Sequence, residues 1–241
     1  MSNQLYRVPL HTRWMRSILR PIFRGIFHII SHVKISGREN VPSKGAYLIA
    51  INHVSLFEPP FVLAFWPIAP EAAGAADIWE RRGQSLLARS YGGIPVRRGE
   101  YDRNLIDLLL NVLRSGRPLV IAPEGGRSHS PGMKRALPGA AYLADQAGVP
   151  IVPVGILGAV DDFLASGLRG KRPTIEMRIG QPFRLTPITS KGEARRILRQ
   201  KNADQIMLHI AALLPPEYQG VYGHGFALNG VAERPVAEAR D

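Results

Sequence analysis

The apolar positions of this chain fall into short runs that alternate with longer stretches of helical period. "VKISG" (33–37), "AYLIAIN" (46–52), "GGIPV" (92–96), "PLVIAP" (118–123), "PIVPVGIL" (150–157) and "TIEMRIG" (174–180) are rich in Ile, Val and Leu and read as strands. Four other segments read as helices. "PPFVLAFW" (59–66) carries prolines in its first turn, where they are tolerated. "DRNLIDLLLNVLRSG" (102–116) opens on an Asp and stops at a Gly, and "PGAAYLADQAG" (138–148) ends the same way. "SKGEARRILRQKNADQIMLHIAALLPP" (190–216) is long, amphipathic and closed by prolines. Strands alternating with helices predict an α/β fold, a layered and largely parallel sheet flanked by helices. With no internal repeat or low-complexity linker, residues 34–219 are expected to form one domain. Residues 220–241 are Gly/Ala-rich and read as a flexible tail.

Ahead of the first strand, "RWMRSILRPIFRGIFHII" (13–30) projects at 100° per residue into two faces. Arg13, Arg16, Arg20 and Arg24 share a narrow sector. Trp14, Met15, Ile18, Leu19, Ile22, Phe23, Ile26, Ile29 and Ile30 fill a broad one opposite, while Phe27 lies near the arginines. Pro21 is expected to kink the helix or divide it. Residues 1–33 therefore read as a segment docked on a membrane interface, apolar face down, with the arginines meeting lipid phosphates. The competing reading packs the helix on the protein's own core with its arginines outward.

Charge extends that picture. Lys+Arg number 31 against Asp+Glu 19, a formal +12, so the chain is expected to seek polyanions. An anionic membrane surface fits better than nucleic acid, because the arginines oppose an apolar face and no recognition motif appears. No window is long and apolar enough to span a bilayer, and the start "MSNQLYRVPLHTRW" lacks the pattern of a secretory signal. The expected location is the cytoplasmic face of a membrane, peripheral or monotopic. Cysteine is absent, which removes disulfides, thiolate metal sites and a cysteine nucleophile. No metal or cofactor is expected.

Candidate chemistry follows three of the strands, where open α/β sheets bind ligands. After "AYLIAIN" come His53 and Glu58; of the seven histidines, His53 alone has a carboxylate in the next five residues. A neutral imidazole takes a proton near neutral pH, and a carboxylate fixes its tautomer. On a continuous helix the two would diverge by about 140°, so they meet only if His53 lies in the turn before the helix. After "GGIPV" come Arg97 and Arg98, either a phosphate site or a solvated pair. After "PLVIAP" comes "PEGGRS", where the amides of Gly125 and Gly126 can approach an anion and Arg127 adds a planar fork. Glu124 would repel an anion, so it is expected to take a donor: an acceptor hydroxyl, Arg97 or Arg98. Neither nucleotide-binding glycine fingerprint is present.

In this order the segments resemble the glycerolipid acyltransferase family typified by lysophosphatidic acid acyltransferase. "NHVSLFE" is similar to its N-H-x-x-x-x-D motif with Glu58 for Asp, and "GGIPVRR" to G-x-I-P-V-x-R, which places the family arginine at Arg98. "PEGGRS" (123–128) and "VPIVPVGI" (149–156) match the third and fourth blocks, and the resemblance covers about residues 34–180. It implies transfer of a fatty acyl group from an acyl-CoA or acyl-carrier-protein thioester to a lysophospholipid hydroxyl. His53 would be the general base and Glu58 its partner. Arg98, Glu124, Gly125, Gly126, Arg127 and Ser128 would hold the acceptor, and Ser55 is a turn residue. No lysine occurs between Lys44 and Lys134, and "RALPGAA" lacks the lysine often found after the third block. Those departures open the acceptor to a glycolipid or an aminolipid. A catalytically inactive lipid-binding module is the competing class.

Overall fold

The computed structural model describes residues 5–128, 132–160, 162–224, 226 and 234–235. Seven strands form the main path of one sheet: β1 (His32–Ser36), β2 (Leu48–Ile51), β3 (Glu71–Ala75), β4 (Ile94–Val96), β5 (Leu119–Ile121), β6 (Ile151–Leu157) and β7 (Thr174–Ile179). Their spatial order is β1-β7-β6-β2-β5-β3-β4. Pairing is parallel except between β6 and β7; β8 (Phe183–Arg184) adds antiparallel to β6 and pairs with β9 (Arg234–Pro235). The sheet is thus largely parallel, as the pattern implied. Strand β3, "EAAGA", went unread because it has no apolar run; its first residue is a buried glutamate.

Side chains alternate across the buried central strand β2, as the two-residue period requires. Leu48 and Ala50 face a core built with α4 (Arg103–Arg114), α5 (Gly139–Ala147) and α7 (Gly192–Ala211). Tyr47, Ile49 and Ile51 face a second core, filled by α1 (Leu10–Ile30), α2 (Glu58–Phe65) and α6 (Phe163–Leu168). Helix α3 (Gln84–Tyr91) also packs on α1.

Helix α1 differs from expectation in two ways. It runs unbroken through Pro21, which sits on the exposed side; Ser17, whose carbonyl loses its partner to the proline, is also exposed. Second, three of its four arginines, Arg16, Arg20 and Arg24, point into the protein, while Arg13 stays exposed. Arg16 is 3% exposed and forms a two-pronged pair with Glu71 at 2.8 and 2.6 Å, while its Nε donates to the Tyr91 carbonyl. Arg20 donates to the Leu63 and Trp66 carbonyls, and Arg24 to that of Ala64, all at the C-terminal end of α2. The lipid phosphates expected for these arginines are replaced by buried protein oxygens. Phe27 belongs to the same inward face, with its ring 5.1 Å from that of Phe61.

What α1 turns outward is rich in large apolar side chains: Leu10, Trp14, Ile22, Ile26 and Ile29 are exposed, from 41% to 79%, beside His11, Arg13, Ser17 and His28. A helix with arginines inside and Trp and Ile outside inverts the usual amphipathic pattern. The tail expected from Gly220 is packed at its start. Gly220–Tyr222 form a short turn, and the buried Tyr222 donates to Asp204 and accepts from the Ala136 amide. Most of the rest of that segment lies outside the described residues.

Candidate active site

Strand β2 ends at Ile51, and the next two residues turn. Asn52 anchors the turn by exchanging two hydrogen bonds with the Ile156 backbone of β6, at 2.9 and 2.7 Å. His53 therefore precedes α2 rather than lying on it, which lets its ring meet a carboxylate five residues on. His53 Nδ1 and Glu58 Oε2 are 2.9 Å apart.

Glu58 opens α2 and folds back over the turn. Its oxygens accept from the amides of Val54 and Ser55 as well as from the imidazole. The extra methylene relative to aspartate spans this reach, so Glu58 serves as ring partner and turn clamp at once. Burial pushes its carboxyl pKa up, against the imidazole and amides, which pull it down. Ser55 is the turn residue the sequence suggested, its Oγ accepting from the Phe57 amide. With Nδ1 facing Glu58, Nε2 is the ring nitrogen left for chemistry. No described residue bonds it, and the His53 side chain is 14% exposed.

The "PEGGRS" loop after β5 joins this turn. The His53 amide donates to Glu124 Oε1 at 2.8 Å, and the Lys134 amide to Glu124 Oε2 at 2.7 Å. The Ser128 amide donates to the His53 carbonyl, and Ser128 Oγ to that of Gly132. Glu124 and Ser128, read from the sequence as ligands of the acceptor, are thus bonded to backbone and hold the loop against the His53 turn. Burial, chiefly, raises Glu124 to about 7. Sequence patterns miss this clamp because its partners are main-chain groups.

Gly125 has a φ of +67° and lies under the exposed Leu137 side chain; the positive φ is what disfavours a larger residue there. Gly126 lies under Arg98: a Cβ there would sit 3.2 Å from Arg98 Nη1. The second cluster therefore meets the third, although β3 separates their strands. Arg98 is exposed and Arg127 half-buried. Arg97 is the solvated member of its pair, 74% exposed and 3.9 Å from Glu100. His53, Glu58, Arg98 and the glycine loop thus occupy one edge of the sheet, at the carboxyl ends of β2, β4 and β5.

Residues 32–157 match the sequence model of the Acyltransferase family, more than half of the chain. The chain belongs to that family. A relative from Pseudomonas aeruginosa, a lyso-ornithine lipid O-acyltransferase, is 28% identical over 203 residues, 76% of this chain and 74% of its own. The crystal structure of the 1-acyl-sn-glycerophosphate acyltransferase PlsC from Thermotoga maritima is similar in fold, with a TM-score of 0.59 at 20% identity. That likeness covers 81% of this chain and 79% of the other. The family match makes this protein an acyltransferase, and the likeness to the solved structure shows a shared fold.

Proposed function

We propose that this acyltransferase moves a fatty acyl group from a thioester to a lysolipid hydroxyl at a membrane surface, with His53 as general base. The observation that carries the reading is the 2.9 Å contact of His53 Nδ1 with Glu58, which leaves Nε2 at the sheet edge without a bond from any described residue. Nε2 takes the hydroxyl proton as the alkoxide oxygen attacks the thioester carbonyl carbon. The tetrahedral oxyanion collapses, the C–S bond breaks, and the imidazolium returns its proton to the leaving sulfur. Glu58 stabilises the imidazolium between these steps. Arg98 and Arg127 hold the acceptor's anionic group, a phosphate or a carboxylate.

The oxyanion needs fixed donors. The amides of Val54, Ser55, Gly125 and Ser128 are already used within the protein. Those of Gly126 and Arg127 carry no bond among the described residues, which supports them for the role. Docking is supported by the outward apolar face of α1. Among the described residues no helix is long and apolar enough to cross a membrane, so the docking proposed is interfacial.

A specific observation favours an aminolipid over lysophosphatidic acid as acceptor: the relative from P. aeruginosa is named for lyso-ornithine lipid. The test mixes purified protein, vesicles and an acyl thioester with each lysolipid in turn and follows free thiol. Thiol release with lyso-ornithine lipid above that with lysophosphatidic acid supports the aminolipid acceptor; the reverse supports the phospholipid. No release with any lysolipid defeats the enzyme reading.

A further inference from the structure

Lys134 has no part in the chemistry assigned above, yet it bonds the active-site loop twice. Its backbone amide donates to Glu124 Oε2 and its side-chain ammonium to the Arg127 carbonyl, each at 2.7 Å. Both bonds lead to His53 through one intermediate. Glu124 takes the His53 amide on its other oxygen at 2.8 Å. The Arg127 carbonyl shares a planar peptide with the Ser128 amide, and that amide donates to the His53 carbonyl at 2.8 Å. The main-chain donor and the main-chain acceptor of His53 are thus both held by groups that Lys134 holds. The ammonium strengthens the second route. A charge-assisted bond is roughly twice as strong as a neutral one, and it polarises the peptide so that its N–H donates more strongly.

The backbone on either side of Lys134 is itself anchored. The Met133 amide donates to the Tyr218 carbonyl, and the Met133 carbonyl accepts from the Val221 amide. The Ala136 amide donates to the buried Tyr222 hydroxyl, and the Leu137 amide to the Pro123 carbonyl. The exposed lysine side chain therefore reaches the glycine loop from a fixed platform.

We propose that Lys134 is a positioning residue for acyl transfer, its ammonium holding the Arg127–Ser128 peptide so that His53 stays in place as the base. The proposal rests on the reading of His53 given above. Lys134 also fixes the direction of the Gly126 and Arg127 amides, which lie along the chain between its two points of grip, Glu124 and the Arg127 carbonyl.

The experiment compares wild type with Lys134→Cys, before and after treatment with 2-bromoethylamine. The chain has no cysteine of its own, so alkylation of the thiol rebuilds an ammonium of nearly lysine length at that one position; treated wild type is the control. Turnover is read as acylated lipid formed from palmitoyl-CoA or palmitoyl carrier protein and whichever of lyso-ornithine lipid and lysophosphatidic acid the wild type accepts. Melting temperature is read on the same samples. The expected result is a kcat about tenfold lower in Lys134→Cys, less than the ~10² that a misplacement of about 1 Å can cost. The KM for both substrates and the melting temperature stay unchanged, and alkylation restores kcat. Wild-type kcat in Lys134→Cys overturns the proposal, and so does a loss that alkylation fails to restore. A raised lysolipid KM at wild-type kcat overturns it in favour of an ammonium that binds the acceptor's anionic group. Wild type without turnover on either lysolipid defeats the acyl-transfer reading and the proposal with it; every other outcome leaves that reading standing.

Discussion

Two glutamates in this fold are almost equally hidden, Glu58 at 1% exposure and Glu71 at 0%, yet they face opposite company. Glu71 is met by the Arg16 guanidinium, by Arg117 Nε at 2.9 Å and by the Tyr6 hydroxyl at 2.9 Å. Burial alone would raise its carboxyl, but the two permanent cations outweigh it and hold the pKa below the usual range. Glu58 has only an imidazole and backbone amides, and burial wins, raising it. A buried carboxylate paired with guanidinium is locked in its charged state and ties α1 to the sheet. A buried carboxylate held by imidazole and backbone amides has no permanent cation to lock it, and it sits against the ring proposed above as general base.

The widest break between the two sites should come from removing their partners. His53→Ala is expected to lower turnover by ~10²–10⁴ while the melting temperature stays put; thiol release and calorimetry on one sample check both halves. Arg16→Ala should do the reverse, destabilising by about 3 kcal/mol and leaving kcat nearly unchanged in molecules that remain folded. That is the low end for breaking a buried pair, because Arg117 and Tyr6 still face Glu71. Denaturant unfolding measures it, and an unstable His53→Ala beside a stable Arg16→Ala would erase the distinction.

A finer cut is Glu58→Asp. One methylene shorter, the carboxylate loses either the imidazole or the Val54 and Ser55 amides, and turnover should fall by up to ~10². Activity at the wild-type level would mean the turn shifts to meet it.

The smallest expected effects are in pH dependence, and their signs differ. Glu71 has a lowered folded pKa, so its stabilisation is present above the ordinary carboxylate value of 4.5 and is lost as pH falls through the lowered value. Glu124 is raised from 4.5 to about 7. Its contribution is complete below ~4.5 and is lost as pH climbs through ~7. Melting curves of Glu71→Gln and Glu124→Gln against wild type should therefore diverge at opposite ends of the pH scale. Parallel profiles would show that burial does not govern Glu124.

The sheet and the edge where the chemistry gathers were legible in the sequence because apolar runs and turn residues encode them locally. Strands β2, β5 and β6 fall where the Ile/Val runs put them, and His53 lies before its helix as the geometry of a five-residue spacing demands. The orientation of α1 was not legible. A helical projection separates arginines from isoleucines but does not say which face turns inward. That depends on Glu71, more than 50 residues away in a strand with no apolar run to announce it. The main-chain partners of Glu124 were not legible for a related reason, since a carboxylate aimed at main-chain amides leaves no pattern in the side chains around it.

The grip of Arg20 and Arg24 on the last carbonyls of α2 has a mechanical consequence. Cations there also complement the negative end of the helix. That eight-residue rod, about 12 Å long, carries Glu58 at its opposite tip. The imidazole's height above the outer helix is thus set by a short strut rather than a hinge, so under the proposed mechanism an acceptor hydroxyl would meet it at one fixed elevation.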